Sequence, residues 1–537
     1  VTVRVAIGVA ARRVTETCAV ALVASFVAGM PAPARAAPDP DKAAVTALKR
    51  LAEEDVDAAR KVLAPFEPFD AASDEVKLAA GVLRFFEQDY RAAVSLIEES
   101  GAGNAGGYLA LAKAARDVTK DDVRFESEHF VVSYPKGKDE VLVPYLVDAL
   151  ERQRAALHEA IGVVPAGRLT VEIVPDVRAL AKVSTLTEAE VRTSGTVAVA
   201  KFGKLMMLSP KALLKGYDWL DTAAHEYTHA VVTLKTRNRA PIWLQEGLAK
   251  WFETAWRGRT DPLTPFSAAL VKDAAAKGNL VTFQEMHPSL AKLPSQERAA
   301  LAYAQVVLAV EYLVKQVGPA AIAKVTGLVG EGRTAEQAVA DVLGVPFDRF
   351  MREWRSYLGA RPLPRGGDHE LKKLKFKDDP KQRGEYAEWA EISDAPSRGY
   401  ARLGEIFRAR GRWNSARIEY GKAYQRVGGR VAILSGQYAL AAAMAGQKDE
   451  AARVLTEALE WNPDYPALNV QLARILIDRQ DFAGAKEHLL AANRQDPFDP
   501  EIHAGLAKVS GALGDPGGSS REARFATILS ARGEGHP

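Results

Sequence analysis

The chain repeats itself at both ends and not in the middle. Glu53, Asp55, Ala59 and Leu63 recur as Glu87, Asp89, Ala93 and Ile97, each 34 positions on. Ala451, Ala458 and Pro463 recur as Ala485, Ala492 and Pro497 at the same spacing, and Ala416 and Ala423 stand 35 positions before Ala451 and Ala458. Apolar residues within each copy follow a helical period, and small residues recur where two helices would cross. One such copy cannot bury its apolar face alone, so the period predicts helical hairpins that stack on their neighbours. The final copy is interrupted by Gly514-Asp-Pro-Gly-Gly-Ser-Ser520 and reads as an atypical cap.

A 34-residue period with alanines at the crossings resembles the tetratricopeptide repeat. The resemblance implies all-α, repeat-like regions over 42–120 and 385–532. The second would present a concave surface for a peptide or partner protein, while the first is too short to stand as an array and is expected to pack on a neighbouring domain. Between them the pattern changes. Phe130–Tyr134 and Leu169–Ile173 are runs rich in β-branched and aromatic residues on either side of a helical stretch from about Leu142 to Ile161, which predicts strand, helix, strand. Thr196–Ala200 and Leu205–Leu208 flank Lys201-Phe-Gly-Lys204, a hairpin with Gly203 at its turn. From Trp219 to Leu358 the pattern is helical. Pro, Gly and Lys then mix without period, so 361–384 reads as a linker closing a domain over 123–360.

Arg4, Arg12 and Arg13 precede an apolar stretch from Cys18 to Met30, followed by Pro31 and Ala34-Arg-Ala36. Residues 1–36 are therefore expected to be a signal peptide, the mature chain being exported to a periplasm or to the extracellular space. The 13-residue run is short for a membrane span of about 20 residues, and no later stretch reads as apolar enough, so no stable membrane insertion is expected after cleavage. The single cysteine, Cys18, lies in that segment, and the mature chain is expected to have no disulfide. With 71 Lys+Arg against 68 Asp+Glu, the totals carry no electrostatic footprint for nucleic acid.

Chemistry concentrates in His225-Glu226-Tyr227-Thr228-His229. Two histidines at i and i+4 on a helix share one face about 6 Å apart along the axis, so both rings can reach one Zn²⁺. Glu226 is rotated about 100° from His225 and reaches a water on the metal, not the metal itself. His158-Glu159 and His369-Glu370 begin the same pattern and lack the second histidine. After 16 intervening residues comes Glu246, in a helix opened by Pro241 and packed through Trp243, Leu244, Leu248, Trp251 and Phe252. A lone carboxylate among such neighbours is costly unless it is paired or binds a metal. Gly247 and Ala249 are expected to let this helix lie against Ala223, Ala224 and Ala230 of the first.

His-Glu-Xaa-Xaa-His followed by Trp243-Leu-Gln-Glu-Gly-Leu-Ala249 resembles the gluzincin metallopeptidases, most of all the peptidase MA-like group, over about 123–360. The Tyr-Ala-Gln segment at 303–305 and the Trp354-Arg-Ser-Tyr-Leu358 ending belong to that resemblance. It implies an α+β, thermolysin-like domain with a small mixed sheet and a helical core. It further implies one zinc ion per chain on His225, His229 and Glu246, with Glu226 as general base. Thr196, Val197, Ala198, Val199 and Ala200 would form the sheet edge along which an extended peptide pairs. Gluzincins often place a tyrosine on a later helix, which makes Tyr303 the candidate oxyanion donor; a core aromatic is the alternative, and Tyr217 and His287 are rivals. Asp221 and Glu253 are candidates to orient the imidazoles, though Asp221 also suits a helix first turn and Glu253 a solvated face.

Two departures narrow the reading. Thermolysin-like enzymes have an aspartate four residues after the glutamate ligand, where this chain has Lys250. Zinc aminopeptidases hold the substrate amine with a glutamate near the edge strand, and Gly195–Ala200 offers none, which favours an endopeptidase or oligopeptidase. The sequence thus points to an exported zinc peptidase whose repeats hold substrate or a partner protein. A non-catalytic envelope scaffold and a zinc hydrolase for non-peptide amides or esters are the alternatives.

Overall fold

The computed structural model describes residues 39–258, 263–362, 374, 376–378, 389 and 392–531. The expected signal peptide with Cys18, and most of the expected linker over 361–384, lie outside the described residues. The chain divides into two compact units, Val1–Val118 and Thr119–Pro537.

The first unit is helical: α1 (Pro40–Ala52), α2 (Val56–Leu63), α3 (Asp74–Phe86), α4 (Tyr90–Glu99) and α5 (Tyr108–Thr119), whose last residue passes the boundary. α3 starts 34 residues after α1, and α4 starts 34 after α2. The recurring residues do matching work. Asp55 and Asp89 cap α2 and α4, accepting from the N–H of Ala58 and Ala92, while Ala59, Ala93, Leu63 and Ile97 are fully buried.

The second unit is built on one mixed five-stranded sheet of β1 (Val123–Glu126), β2 (Phe130–Tyr134), β3 (Leu169–Val174), β4 (Ala198–Lys201) and β5 (Lys204–Leu208), in the order β1-β2-β3-β5-β4. β1, exposed along its length, was not legible in the sequence. α6 (Val143–Ile161) makes the crossover between the parallel strands β2 and β3. Phe202 and Gly203, both with positive φ, form the two-residue turn between β4 and β5, as their spacing predicts. The inner strands are buried on both faces. Phe130, Val132, Val171 and Ile173 share the face that meets α9 (Trp219–Thr236), where the Phe130 and Tyr227 rings lie 5.3 Å apart. The opposite face mixes buried apolar residues, among them Val131, Val174 and Met206, with buried polar ones. Glu172 and Lys204 form a fully buried ion pair of 2.7 Å there, and the Ser133 hydroxyl donates to Asp122.

α7 (Val177–Val183) and α8 (Glu188–Ser194) lead into the hairpin; α10 (Ile242–Phe252), α11 (Pro265–Ala276), α12 (Gln296–Val317), α13 (Ala320–Gly330), α14 (Ala335–Leu343) and α15 (Phe347–Ala360) follow α9. α12 corrects one expectation: it is long and apolar enough to cross a membrane, the one such helix among the described residues. It lies instead against α10, with most of its apolar surface inside the fold. Gly247 corrects another, since it faces α12 and not α9. A Cβ on Gly247 would stand 2.8 Å from the Val306 carbonyl oxygen, so its lack of a side chain is what lets α10 and α12 close.

Four helical hairpins complete the unit: α16 (Ala395–Ala409) with α17 (Trp413–Val427), α18 (Ala432–Met444) with α19 (Lys448–Trp461), α20 (Pro466–Asp478) with α21 (Phe482–Asn493), and α22 (Pro500–Ala512) with α23 (Pro516–Ser530). α18, α20 and α22 start 34 residues apart, as do α19, α21 and α23. The glycine-rich stretch at 514–520 does not interrupt the last copy. Asp515 caps α23 by accepting from the Gly518 N–H and Pro516 occupies the first turn, so glycines that would weaken a helix interior sit where the backbone is capped.

Candidate metal centre

α9 and α10 bring three side chains to one point. His225 and His229 are one helical turn apart on α9, and their Nε2 atoms lie 3.2 Å from each other. Glu246 comes from the second turn of α10, its Oε2 atom 3.4 Å from His225 Nε2 and 3.3 Å from His229 Nε2. These three are the one His/Cys/Asp/Glu group among the described residues that can hold a metal ion. Donors at about 2.0 to 2.1 Å around a tetrahedral ion stand about 3.3 Å from each other, which matches all three separations. Glu246 Oε2 is buried and makes no hydrogen bond, although both Nε2 atoms face it. Such an orphaned oxygen between two imidazole nitrogens fits a cation.

Electrostatics lead to the same conclusion. Burial by itself would lower the His225 imidazole, yet the Glu246 and Glu253 carboxylates hold it up at about 10. Burial would raise Glu246, and the two histidines hold it down at about 2. His229 is likewise raised by Glu246 against the effect of burial. Carboxylates that drive two buried rings toward their charged form mark a place where positive charge is stabilised.

The other nitrogen of each ring has its own partner. His229 Nδ1 lies 3.2 Å from Gln245 Oε1, and the Gln245 amide donates from Nε2 to Thr233 Oγ1 at 3.1 Å. With the amide oxygen facing it, Nδ1 carries the hydrogen of the neutral ring, which turns the Nε2 lone pair toward Glu246 and a metal. His225 Nδ1 lies 3.5 Å from Glu253 Oε2. Glu253 is therefore turned toward the site and not toward solvent. Asp221 is not: it accepts from Trp256 Nε1 and pairs with the Arg257 guanidinium, on the α9 turn before His225, and orients neither imidazole. Asp218 precedes α9 but makes no side-chain capping bond.

Glu226 is buried beside the triad. Burial raises its carboxyl above the ordinary value, and both histidines and a hydrogen bond from the Ala200 N–H oppose that rise. Ala200 can spare this N–H for a geometric reason. The two-residue turn pairs Lys201 with Lys204, which leaves Ala200 opposite Leu205 as a pair whose own N–H and C=O point off the sheet. β4 is the outer strand on that side, but it is shorter than expected, since Thr196 and Val197 precede it. Thr196 is tied back by its N–H to the Val191 carbonyl, and the Val197 carbonyl accepts from the Leu208 N–H.

Tyr303 projects from α12 onto the site, its ring centre 6.0 Å from that of His225. Burial first, then the charges of Glu246, Glu226 and Glu253, raise its hydroxyl far above the ordinary value. Tyr217 is committed elsewhere, donating to the Leu208 carbonyl at 2.5 Å.

Two residues of the site escaped sequence reasoning. Gln245 stands in an apolar helix immediately before Glu246, and a buried polar residue in such a run is a signal for a partner. Gln153, from α6, is fully buried. Its Nε2 donates to Thr228 Oγ1 and the Phe252 carbonyl, and its Oε1 accepts from the Trp256 N–H. It thereby ties the middle of α9 to the end of α10.

Residues 151–360 match the sequence model of the Peptidase MA superfamily, and residues 432–509 match the tetratricopeptide repeat. No curated protein matches the chain significantly. Among solved structures, the chain is similar to yeast LTA4 hydrolase in complex with bestatin, at 11% identity and a TM-score of 0.30, covering 76% of this chain and 66% of that one. The native yeast LTA4 hydrolase gives 12%, 0.30, 76% and 67%. The APC/C hetero-tetramer Cut9-Hcn1 gives 12% identity and a TM-score of 0.26, over 92% of this chain and 80% of that one. The chain thus spans just under two thirds of the first of these structures.

Proposed function

We propose, from the premise that this chain carries a Peptidase MA superfamily domain joined to tetratricopeptide repeats, that it is a zinc-dependent peptidase. The observation that carries the reading is the convergence of His225 Nε2, His229 Nε2 and Glu246 Oε2 within 3.2–3.4 Å of each other, with each ring supported at Nδ1. Two imidazoles and a carboxylate suit zinc, which when bound supplies Lewis acidity toward a carbonyl and makes a water more acidic. His225, His229 and Glu246 are the residues that would hold that ion. Glu226, its basicity raised by burial, takes a proton from the attacking water and returns it to the departing amine. The Ala198 N–H and C=O and the Ala200 carbonyl point off the edge of β4, where an extended peptide can pair, while the Ala200 N–H is held by Glu226. Tyr303 stays protonated and donates to the developing oxyanion.

The absence of an acidic residue along 198–201 supports cleavage within a chain over recognition of a free amino terminus. Export to a periplasm or the medium, and recruitment of substrate or a partner protein by the C-terminal repeats, complete the proposal. Glu226→Gln is expected to keep one zinc ion per chain, by metal analysis, and to lose at least about 100-fold in turnover of peptide libraries. If parent and variant behave alike, the protein is a non-catalytic scaffold. Hydrolysis of esters or non-peptide amides in place of peptides would instead reassign the substrate.

A further inference from the structure

Glu246, Lys250 and Glu253 stand at i, i+4 and i+7 along α10 and so share the face turned to His225. Lys250 Nζ forms an ion pair with Glu253 Oε1, and the other oxygen of that carboxylate lies 3.5 Å from His225 Nδ1. A carboxylate at the C-terminal end of a helix meets the negative end of the helix dipole, so Glu253 is poorly placed without a cation beside it. The lysine also completes a charge count. Glu226, Glu246 and Glu253 with Lys250 sum to −2 when the rings are neutral, which a divalent ion cancels; without the lysine a loaded site would retain a buried negative charge.

We propose that Lys250 is a positioning residue for the metal centre: by holding Glu253 against His225 Nδ1 it fixes the ring that offers Nε2 to the metal. The inference rests on the metal reading above and goes beyond it, because the ion pair of Lys250 is with Glu253 and not with a ligand of the triad. Its side chain is 27% exposed, so it can be replaced without opening the core.

The test measures zinc affinity by chelator competition on the full chain, with the melting temperature of the metal-free protein recorded in parallel. Lys250→Met is expected to weaken zinc binding about tenfold, in the range typical of lost outer partners of a metal-bound histidine, and Lys250→Arg to stay within about twofold of the parent. In a Glu253→Gln background, Lys250→Met should have no further effect. A lowered melting temperature with unchanged affinity would overturn the inference and leave the metal reading standing. Equal weakening in both backgrounds would overturn the route through Glu253. A folded parent that takes up no zinc would overturn both.

Discussion

A phenol kept protonated beside three carboxylates can donate a hydrogen bond but cannot act as a base, and this defines what Tyr303 can contribute. Tyr303→Phe keeps the ring against His225 and removes the hydroxyl. It is expected to lower kcat about 100-fold with KM and zinc content little changed, measured by steady-state kinetics and metal analysis. A second residue-scale prediction concerns stability. Burial raises the Asp122 carboxyl to about 6, against the Ser133 hydroxyl that holds it down, with the charges of Glu172 and Asp139 adding to the rise. The folded state therefore binds this proton more tightly than the unfolded chain does. Its contribution is fully present below the ordinary value of 3.8 and is lost as pH rises through about 6. Asp122→Asn should remove that dependence and stabilise the protein by about 1 kcal/mol above pH 7, read by urea unfolding at pH 5 and pH 7.5.

Between elements, the site depends on how α6, α9 and α10 are tied. Gln153 donates into the middle of α9 and to the last carbonyl of α10, next to Glu253, while taking the Trp256 N–H. Gln153→Leu leaves those buried groups unsatisfied and is expected to cost about 3 kcal/mol, measured by denaturant unfolding, with a weaker zinc affinity because α9 and the end of α10, which carry the ligands, lose a shared tie. Gln153 was not legible in the sequence. Lying between Arg152 and Arg154, it reads as part of a solvated helix face, and only the packing of α9 and α10 on α6 buries it. Gly247 was legible as a close-approach residue, but the partner was not, because a glycine has no side chain to indicate which neighbour it admits.

At the scale of the whole second unit, the C-terminal hairpins are joined to the helix that carries the histidines. Trp219, the first residue of α9, is fully buried and donates from Nε1 to the Asn493 carbonyl at 3.0 Å, while its backbone N–H donates to the Arg494 carbonyl. Gly216, with φ +63, lies so close to the Gln495 carbonyl that no Cβ fits. Farther along the same seam the Tyr145 hydroxyl donates to Glu522 at 2.7 Å, and Lys138 Nζ donates to the Leu529 carbonyl at 2.9 Å. A chain ending at Pro362 exposes Trp219 and strips these bonds. It is expected to melt roughly 10 °C below a chain ending at Ser530, by calorimetry of both, and to bind zinc less well. Equal melting temperatures would mean that the hairpins contribute nothing to the metal domain.

Local chemistry along the chain was enough to specify the helical hairpins, the β4–β5 turn and the histidine pair. The hairpins are written in a 34-residue recurrence of small and apolar residues, and the other two in contacts a few residues long: two residues of positive φ, two rings one turn apart. Glu246 was also readable, because a carboxylate amid tryptophans and leucines has few other uses. Distances across the fold settled the rest. Glu253 faces His225, Asp221 faces Arg257, and Gly247 faces α12, since each pairing depends on how two helices remote in sequence are rotated against each other. The same limit hid Gln245, Gln153 and the Trp219 seam: burial of a polar group is a property of what packs on it, and no single segment carries that information.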